Sequence, residues 1–208
     1  MPRMTNDPRH ETSAINAATT GGVIALPTRD STLPILANLF AAAEQRIGLA
    51  ALWNRLPARI GRAGLLDNVP VAVSQAILVH LIPSGDVIEV EFNDTGRVFD
   101  RSRPGAAPML LAEPATLDWQ QRKATLMRFF TPALGFDDIV RINVLDGVRV
   151  YFHNGDVAHV RPSGNAPQLR IYANSNSQAR ADQIIELALR EPDGILRQLE
   201  RAFTQRQS

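Results

Sequence analysis

The stretch VRINVLDGVRVYFHNGDVAHVRPSGNAPQLRIYA, residues 140–173, decides the fold of this chain. Apolar and polar residues alternate along it in four short runs, as expected for strands that bury one face. Asp146-Gly147 and Asn154-Gly155 separate the first three runs, and such dipeptides favour tight turns between antiparallel strands. Residues 169–173 supply the fourth run. We therefore predict four antiparallel strands.

Helical patterns surround these strands. Six segments carry apolar residues at the spacing of an amphipathic helix: residues 33–44, with Thr28 or Asp30 as cap, 49–56, 73–81, 119–130, 178–188, capped by Ser177, and 195–203. Helices packed on one side of an antiparallel sheet make an α+β domain. The predicted fold class is therefore α+β, with a four-stranded antiparallel sheet packed by helices.

The pattern of apolar and polar residues changes near residues 57–65, which indicates a domain boundary. Residues 59–64 follow a proline and have the composition of a linker. Further on, residues 86–93 alternate and run into an Asp-Thr-Gly turn, so they predict another hairpin. Residues 101–114 are rich in Pro, Gly and Ala and predict a surface loop.

The composition is typical of a soluble globular protein. Hydrophobic residues make up 45% of the 208 residues and charged residues 21%, and the formal net charge is +1. So small a net charge argues against a general nucleic-acid binder. The chain has no cysteine, which excludes disulfides and thiolate metal sites. It has no signal-peptide pattern and no apolar run of about 18 residues, so we expect no membrane partner and a cytoplasmic location.

The segment Arg161-Pro162-Ser163-Gly164-Asn165-Ala166-Pro167 joins the last two predicted strands. It places a guanidinium, a hydroxyl, a glycine and an amide within five residues, which is the composition of an anion-binding turn. We expect Gly164 to adopt an unusual backbone conformation that directs N–H groups towards a ligand. For a phosphate, Arg161 would bind bidentately, Ser163 would donate its hydroxyl, and the backbone at Gly164 and Asn165 would supply N–H groups.

Arg170 is a further candidate for the same anion. It alternates away from its apolar neighbours on the fourth predicted strand, so its side chain can reach the same side as Arg161. The alternative for Arg170 is an exposed strand arginine without a ligand. For the loop, the alternative is a plain turn with Arg161 solvated. A plain turn needs only Gly and Asn, so the additional donors favour anion binding.

No catalytic group and no metal site is predicted. His153 and His159 lie on neighbouring predicted strands and could face each other, but no carboxylate stands at metal-ligand spacing, so strand-packing roles are favoured. Glu89 and Glu91 share one strand face, which a solvated sheet surface explains. The sequence contains no phosphate-loop, dinucleotide-binding or serine-hydrolase motif.

Residues 146–156 and 159–173, with the run HVRPSGNAPQLRIYA, resemble the C-terminal domain of the α-D-phosphohexomutases. The similarity is greatest to the phosphomannomutase and phosphoglucomutase branch. Residues 26–37 and 56–59 are similar to the family segment that ends the third domain and leads into the fourth. The resemblance covers most of residues 21–208.

This resemblance implies a four-domain isomerase that interconverts hexose 1-phosphate and hexose 6-phosphate through a phosphoserine and a bisphosphate intermediate. Its fourth domain, of TBP-like fold, would grip the phosphate that is not transferred. Arg161, Ser163, Gly164 and Asn165 match the family's phosphate-binding positions, although the family has Thr where this chain has Asn165. The implied partners are a mannose or glucose phosphate and the remaining mutase domains.

The chain lacks the family's serine loop and its aspartate-rich metal loop. The resemblance therefore assigns residues 1–62 to the incomplete end of the third, α/β domain, of which a helical remnant is present. It assigns residues 63–208 to the C-terminal phosphate-binding domain, with an inserted hairpin and helix at about 84–130. Mg²⁺ would serve the full enzyme without being bound by this chain. We expect the chain alone to be inactive as a mutase.

Two other functions stay open. One is a non-catalytic sugar-phosphate sensor that signals through the inserted segment. The other is a protein-interaction module that uses the exposed face of its sheet, with the loop as a plain turn.

Overall fold

The structure is a computed structural model that describes residues 31–204. The predicted helix caps Thr28 and Asp30 lie outside these residues. The chain divides into two compact units, Met1–Leu56 and Pro57–Ser208. The described part of the first unit holds two helices, α1 (Thr32–Glu44) and α2 (Leu49–Trp53), as the apolar spacing predicts.

The second unit contains eight strands, four α-helices and one short 3-10 helix within its described residues. The strands are β1 (Ile60–Asp67), β2 (Glu89–Phe92), β3 (Val98–Asp100), β4 (Met109–Leu110), β5 (Ile139–Asn143), β6 (Val148–Phe152), β7 (Val157–Pro162) and β8 (Gln168–Ser175). The helices are α3 (Val71–Leu81), α4 (Ala115–Met127), the 3-10 helix Pro132–Leu134, α5 (Gln178–Leu189) and α6 (Ile195–Thr204). From residue 31 to residue 204, no helix is long and apolar enough to span a membrane.

All eight strands form one antiparallel sheet in the order β1-β8-β7-β6-β5-β2-β3-β4. The prediction of an antiparallel sheet with helices is confirmed, but the number of four strands is wrong. The four predicted strands, β5 to β8, form the centre of the sheet. β1 extends it beyond β8, and the hairpin of β2 and β3, with β4, extends it beyond β5.

The linker predicted at residues 59–64 is wrong because most of it belongs to β1. This strand contains two glycines and buries only Leu66, so no alternating pattern marks it in the sequence. Its pairing comes from the backbone, which bonds to β8 along all eight residues of the strand. The loop predicted at residues 101–114 likewise includes β4, a strand of two exposed residues that pairs with β3.

A single hydrophobic core joins the sheet to helices α3 to α6. Val150 on β6 and Ile171 on β8 are fully buried in it. Val90 of β2 and Trp119 of α4 belong to the same core. The residues assigned above to an insertion at about 84–130 therefore contribute to the core of the unit that carries them.

A buried ion pair fixes one end of the sheet. Asp156, in the turn before β7, is 5% exposed and accepts a 2.8 Å bond from Nε of Arg180 on α5, whose side chain is 16% exposed. The same guanidinium donates to the carbonyl oxygens of Leu134 and Gly135, at the end of the 3-10 helix. It also lies 4.8 Å above the ring of Phe136. Arg180 thus ties a helix, a turn and a strand together.

We expect Asp156→Ala to lower the free energy of unfolding by about 3–5 kcal/mol, because it leaves a buried guanidinium without its counter-charge. Glu186→Ala is the matched control, since Glu186 pairs with Arg190 on the surface, where the side chains are 74% and 55% exposed. This change should cost less than about 1 kcal/mol. Urea denaturation measures both values, and equal losses would contradict the structural role of the buried pair.

The turn between β5 and β6 presses against β7 at a glycine. Gly147 has a φ of +81°, and a Cβ at this position would stand 2.4 Å from the carbonyl oxygen of Val160 and 2.7 Å from Cβ of Arg161. Gly155, in the next turn, has a φ of +86°, but a Cβ there would come no closer than 3.4 Å to any atom. Of these two turn glycines, Gly147 is therefore required by a close approach as well as by its conformation, and Gly155 by its conformation alone.

Gly147→Ala and Gly155→Ala separate these two effects. Each places alanine in the left-handed region, at a cost of about 1–2 kcal/mol. We expect Gly147→Ala to cost about 1–3 kcal/mol more, because its methyl group overlaps the backbone of β7. Thermal or urea unfolding gives the difference. If the two variants are equally stable, the contact between the turn and β7 is not tight.

Candidate functional site

The loop between β7 and β8 is short and held by its own backbone. Ser163 donates its N–H to the carbonyl of Gln168 at 2.9 Å, and Gln168 donates its N–H to the carbonyl of Ala166 at 2.8 Å. These two bonds close the loop on itself, and a third anchors it to the segment before α3, where the N–H of Val69 donates to the carbonyl of Pro167 at 2.9 Å. The candidate residues on the loop and those on the strands therefore form one group.

Arg161 and Arg170 stand directly opposite each other on β7 and β8. Cross-strand neighbours lie on the same face of a sheet, and like charges in this position repel each other. The Nε atoms of both arginines are buried and have no hydrogen-bond partner. Arg170 has a weak 3.5 Å contact with Oε1 of Gln168. The register thus concentrates two incompletely bonded guanidinium groups beside the loop.

Within residues 31–204, Arg161 forms an ion pair with one acidic residue. Its Nη1 lies 2.5 Å from Oδ2 of Asp146, a residue of the β5–β6 turn whose side chain is 62% exposed. The turn reaches Arg161 because Gly147 packs against β7. Asp146 thus neutralises part of the charge of Arg161 from a position in which its carboxylate remains open to solvent.

The three loop residues predicted to bind an anion lie together at the end of this arginine pair. Ser163 is 8% exposed, whereas Gly164 and Asn165 are exposed. Within residues 31–204, the hydroxyl of Ser163 and the N–H groups of Gly164 and Asn165 have no hydrogen-bond partner. These groups are therefore available as donors on the loop.

The unusual backbone conformation expected at Gly164 is wrong. Its φ lies outside the positive range, unlike that of the turn glycines before β6 and β7. A Cβ at Gly164 would meet no atom within 4 Å. The glycine therefore leaves open space above the loop without a left-handed conformation.

A groove of about 620 Å³ lies beside the loop on the outer face of the sheet. It is lined by Arg59, Asp146, Arg149, Tyr151, Val157, His159, Arg161, Tyr172 and Asn174. The register of β6, β7 and β8 brings these side chains together, because it places Arg149 opposite His159 and His159 opposite Tyr172. Arg161 belongs to both the loop site and the groove, which makes the two continuous.

His159 is the buried centre of the groove wall. Burial lowers the pKa of its imidazole below the usual value, and the charge of Arg149 acts in the same direction, although a hydrogen bond to the Asp146 carbonyl opposes them. The neutral ring donates from Nε2 to that carbonyl, and its Nδ1 faces Nη2 of Arg149 at 3.5 Å. The imidazole therefore serves as a connector between the turn and Arg149.

The other titratable residues considered from the sequence do not assemble into a site. His153 is 74% exposed and faces Asp137, so it does not meet His159. Glu89 pairs with Arg141, and Glu91 pairs with Arg101, as an ion-paired strand face would. Across residues 31–204, no group of three His, Asp or Glu side chains could hold a metal ion.

Asp146, Arg149 and Tyr172 are among the groove residues that the sequence did not identify. Alternation alone places Arg149 and Tyr172 on a polar strand face, where solvent exposure is the usual reason for such residues. Their meeting depends on the register of three strands, which the two Gly-containing turns fix. Counting residues outward from those turns would have paired Arg149 with His159.

Residues 110–190 match the family model described as phosphoglucomutase/phosphomannomutase, C-terminal domain. The matched range includes α4, the four central strands β5 to β8, and α5. It also includes every candidate phosphate-binding residue and most of the groove.

Two curated relatives are both phosphomannomutases. That of Salmonella muenchen is 44% identical over 62 residues, which are 29% of this chain and 13% of the relative. That of Sinorhizobium fredii (strain NBRC 101917 / NGR234) is 29% identical over 168 residues, which are 79% of this chain and 26% of the relative. The chain thus matches about a quarter or less of the length of these relatives. Its resemblance to the C-terminal part of an α-D-phosphohexomutase is thereby confirmed.

Proposed function

We propose that this chain is the phosphate-clamping C-terminal portion of a phosphomannomutase or phosphoglucomutase. The ligand would be a hexose phosphate, held by Arg161, Ser163, Gly164, Asn165 and Arg170. The observation that carries the proposal is the placement of Arg161 opposite Arg170 beside a loop with unpaired donors. A phosphate dianion between the two guanidinium groups would remove their repulsion and satisfy their free N–H groups.

The loop supplies donors of a second kind. The hydroxyl of Ser163 and the N–H groups of Gly164 and Asn165 have no partner in the described part of the chain. Together they can bond phosphate oxygens that the arginines leave open. The space above Gly164 admits a ligand close to the backbone. Asn165 would add a side-chain amide at the position where the family has threonine.

In the whole enzyme, the reaction would interconvert hexose 1-phosphate and hexose 6-phosphate by way of a phosphoserine and a bisphosphate intermediate. The serine and a Mg²⁺ ion would belong to other domains of that enzyme. The part played by this chain would be positional. By holding the phosphate that is not transferred, it would orient the sugar and neutralise charge without touching the reacting atoms.

We expect phosphate binding to depend on the balance between Arg161 and Asp146. Asp146→Asn should raise the affinity for inorganic phosphate and for glucose 6-phosphate about two- to fivefold, because the competing carboxylate is removed. Arg161→Gln should lower both affinities. Titrations followed by amide NMR shifts give the dissociation constants.

Asp193→Asn is the control for this experiment. Asp193 forms an exposed pair with Arg201 at 2.8 Å, far along the chain from the loop. Its substitution should leave phosphate affinity unchanged. Tighter binding in both Asp→Asn variants would indicate a general charge effect and would contradict the specific competition.

The same titration separates the proposed function from a protein-interaction module. Phosphate binding at the loop should shift the amides of Ser163, Gly164 and Asn165 first. No shift at millimolar phosphate or hexose phosphate would favour the interaction module. A sugar-phosphate sensor would give the same shifts. It would differ in a second measurement, because adding the remaining mutase domains to it would not produce mutase activity.

The 208-residue chain alone should not interconvert glucose 1-phosphate and glucose 6-phosphate, because the serine that carries the phosphoryl group would lie in another domain. A coupled assay with Mg²⁺ and a trace of the bisphosphate measures this. The Arg161→Gln variant provides the background. Turnover by the unmodified chain that disappears in this variant would overturn the expectation.

A further inference from the structure

A pocket lined by three helices lies apart from the loop and its groove. Helix α3 packs against both α4 and α6, and residues of all three enclose about 380 Å³, a volume within the range of small-molecule sites. The lining residues are His80, Gln121, Arg122, Thr125, Arg128, Phe129, Ala202 and Phe203. None of them belongs to the groove beside Arg161, so the proposed phosphate clamp makes no use of this pocket.

Two arginines give this pocket a positive charge that its walls do not balance. Arg122 is half-buried, and its Nη2 lies 3.1 Å from Oδ1 of Asp118 on the same helix. Its Nε is buried without a hydrogen-bond partner, as in Arg161 and Arg170. The side chain of Arg128 is exposed and forms no ion pair or hydrogen bond within residues 31–204. No carboxylate lines the pocket, so an anion there would meet two cations without a competing acid.

Aromatic rings form the base of the pocket. The ring of Phe203 has its centroid 5.0 Å from that of His80 and 6.3 Å from that of Phe129. Both phenylalanines are buried members of the hydrophobic core, which fixes their positions. Nδ1 of His80 donates to the carbonyl of Ala76 at 2.8 Å, and in the described part of the chain its Nε2 has no partner. The pocket thus combines a rigid apolar base with unpaired polar groups.

The ends of the helices do not by themselves account for this set. His80 lies in the last turn of α3 and Arg128 at the C-cap of α4, where the helix dipole favours a positive charge. Arg122 lies in the middle of α4, where the dipole gives no such benefit. His80 and Phe203 also lie outside residues 110–190, the range that matches the family model. The pocket is therefore assembled partly from segments outside that match.

We propose that this pocket is a second ligand site, which binds a small organic anion: Arg122 and Arg128 hold a carboxylate, and Phe129 and Phe203 pack against the apolar body attached to it. Guanidinium groups bond carboxylates strongly because both are planar and oppositely charged. The aromatic base adds apolar contact that an inorganic anion cannot use. The site goes beyond the proposed phosphate clamp and stands independently of it, because the two share no residue.

Benzoate and benzamide test the site, because they share an aromatic ring and differ in charge. We expect the 208-residue chain to bind benzoate at least about fivefold more tightly than benzamide, since the carboxylate forms charge-assisted hydrogen bonds. Benzoate should first shift the amides of His80, Arg122, Phe129 and Phe203. Inorganic phosphate lacks the apolar body and should bind this pocket at least about threefold more weakly than benzoate. Amide NMR titration gives each dissociation constant and the position of each shift.

Two variants at exposed positions assign the binding to the pocket. Arg128→Gln removes a cation and should weaken benzoate binding about two- to fivefold. Ala202→Leu narrows the pocket from α6 without changing any charge, and it should weaken benzoate binding at least about threefold. Arg97→Gln is the matched control and should keep the affinity. Arg97 is likewise exposed, its side chain forms no ion pair or hydrogen bond within residues 31–204, and it lies outside the pocket.

Four results would overturn the proposal. Equal affinities for benzoate and benzamide would exclude an anion site, and equal affinities for benzoate and phosphate would exclude the role of the apolar body. Benzoate shifts confined to Ser163, Gly164 and Asn165 would place the ligand at the loop. Equal losses in Arg128→Gln and Arg97→Gln, or undiminished binding in Ala202→Leu, would show a general charge effect. The phosphate clamp is tested separately, by the shifts that phosphate causes in the loop amides.

Discussion

The antiparallel register of β7 and β8 is the constraint on which the site depends, because it holds Arg161 beside Arg170. Each arginine adjoins an apolar neighbour, Val160 and Ile171 respectively, that is buried in the core. A slip of one residue would expose these neighbours and turn the arginines inward, so burial of the inner face enforces the repulsion on the outer face. The sheet thus keeps in place an arrangement that is unfavourable by itself.

A connected set of polar groups lies beside the positive charge of Arg161 and Arg170 on the outer face of the sheet. Asp146 balances Arg161 from the β5–β6 turn, and the close packing of Gly147 makes that approach possible. The neutral ring of His159 links the same turn to Arg149. Because the carboxylate is exposed and the imidazole is uncharged, the face retains a net positive character next to the loop.

Much of the fold follows from local patterns in the sequence. Strands β5 to β8 were predictable because alternation and Gly-containing turns agree at each step. β1 was not, since its pairing depends on the backbone of β8 and Leu66 is its one buried side chain. The candidate phosphate residues share one short segment with Arg170 close behind, so sequence reasoning reached them. Arg149 and Tyr172 required the register of three strands, which a sequence gives only indirectly.

The ion pair between Arg180 and Asp156 closes the end of the sheet opposite the loop. Asp156 precedes β7 and Ser163 follows it, so the six residues of that strand, about 20 Å, separate them. This ion pair is therefore remote from the donors of the loop. Such a separation lets the loop change its sequence, and with it the ligand it selects, while the scaffold beneath it stays folded.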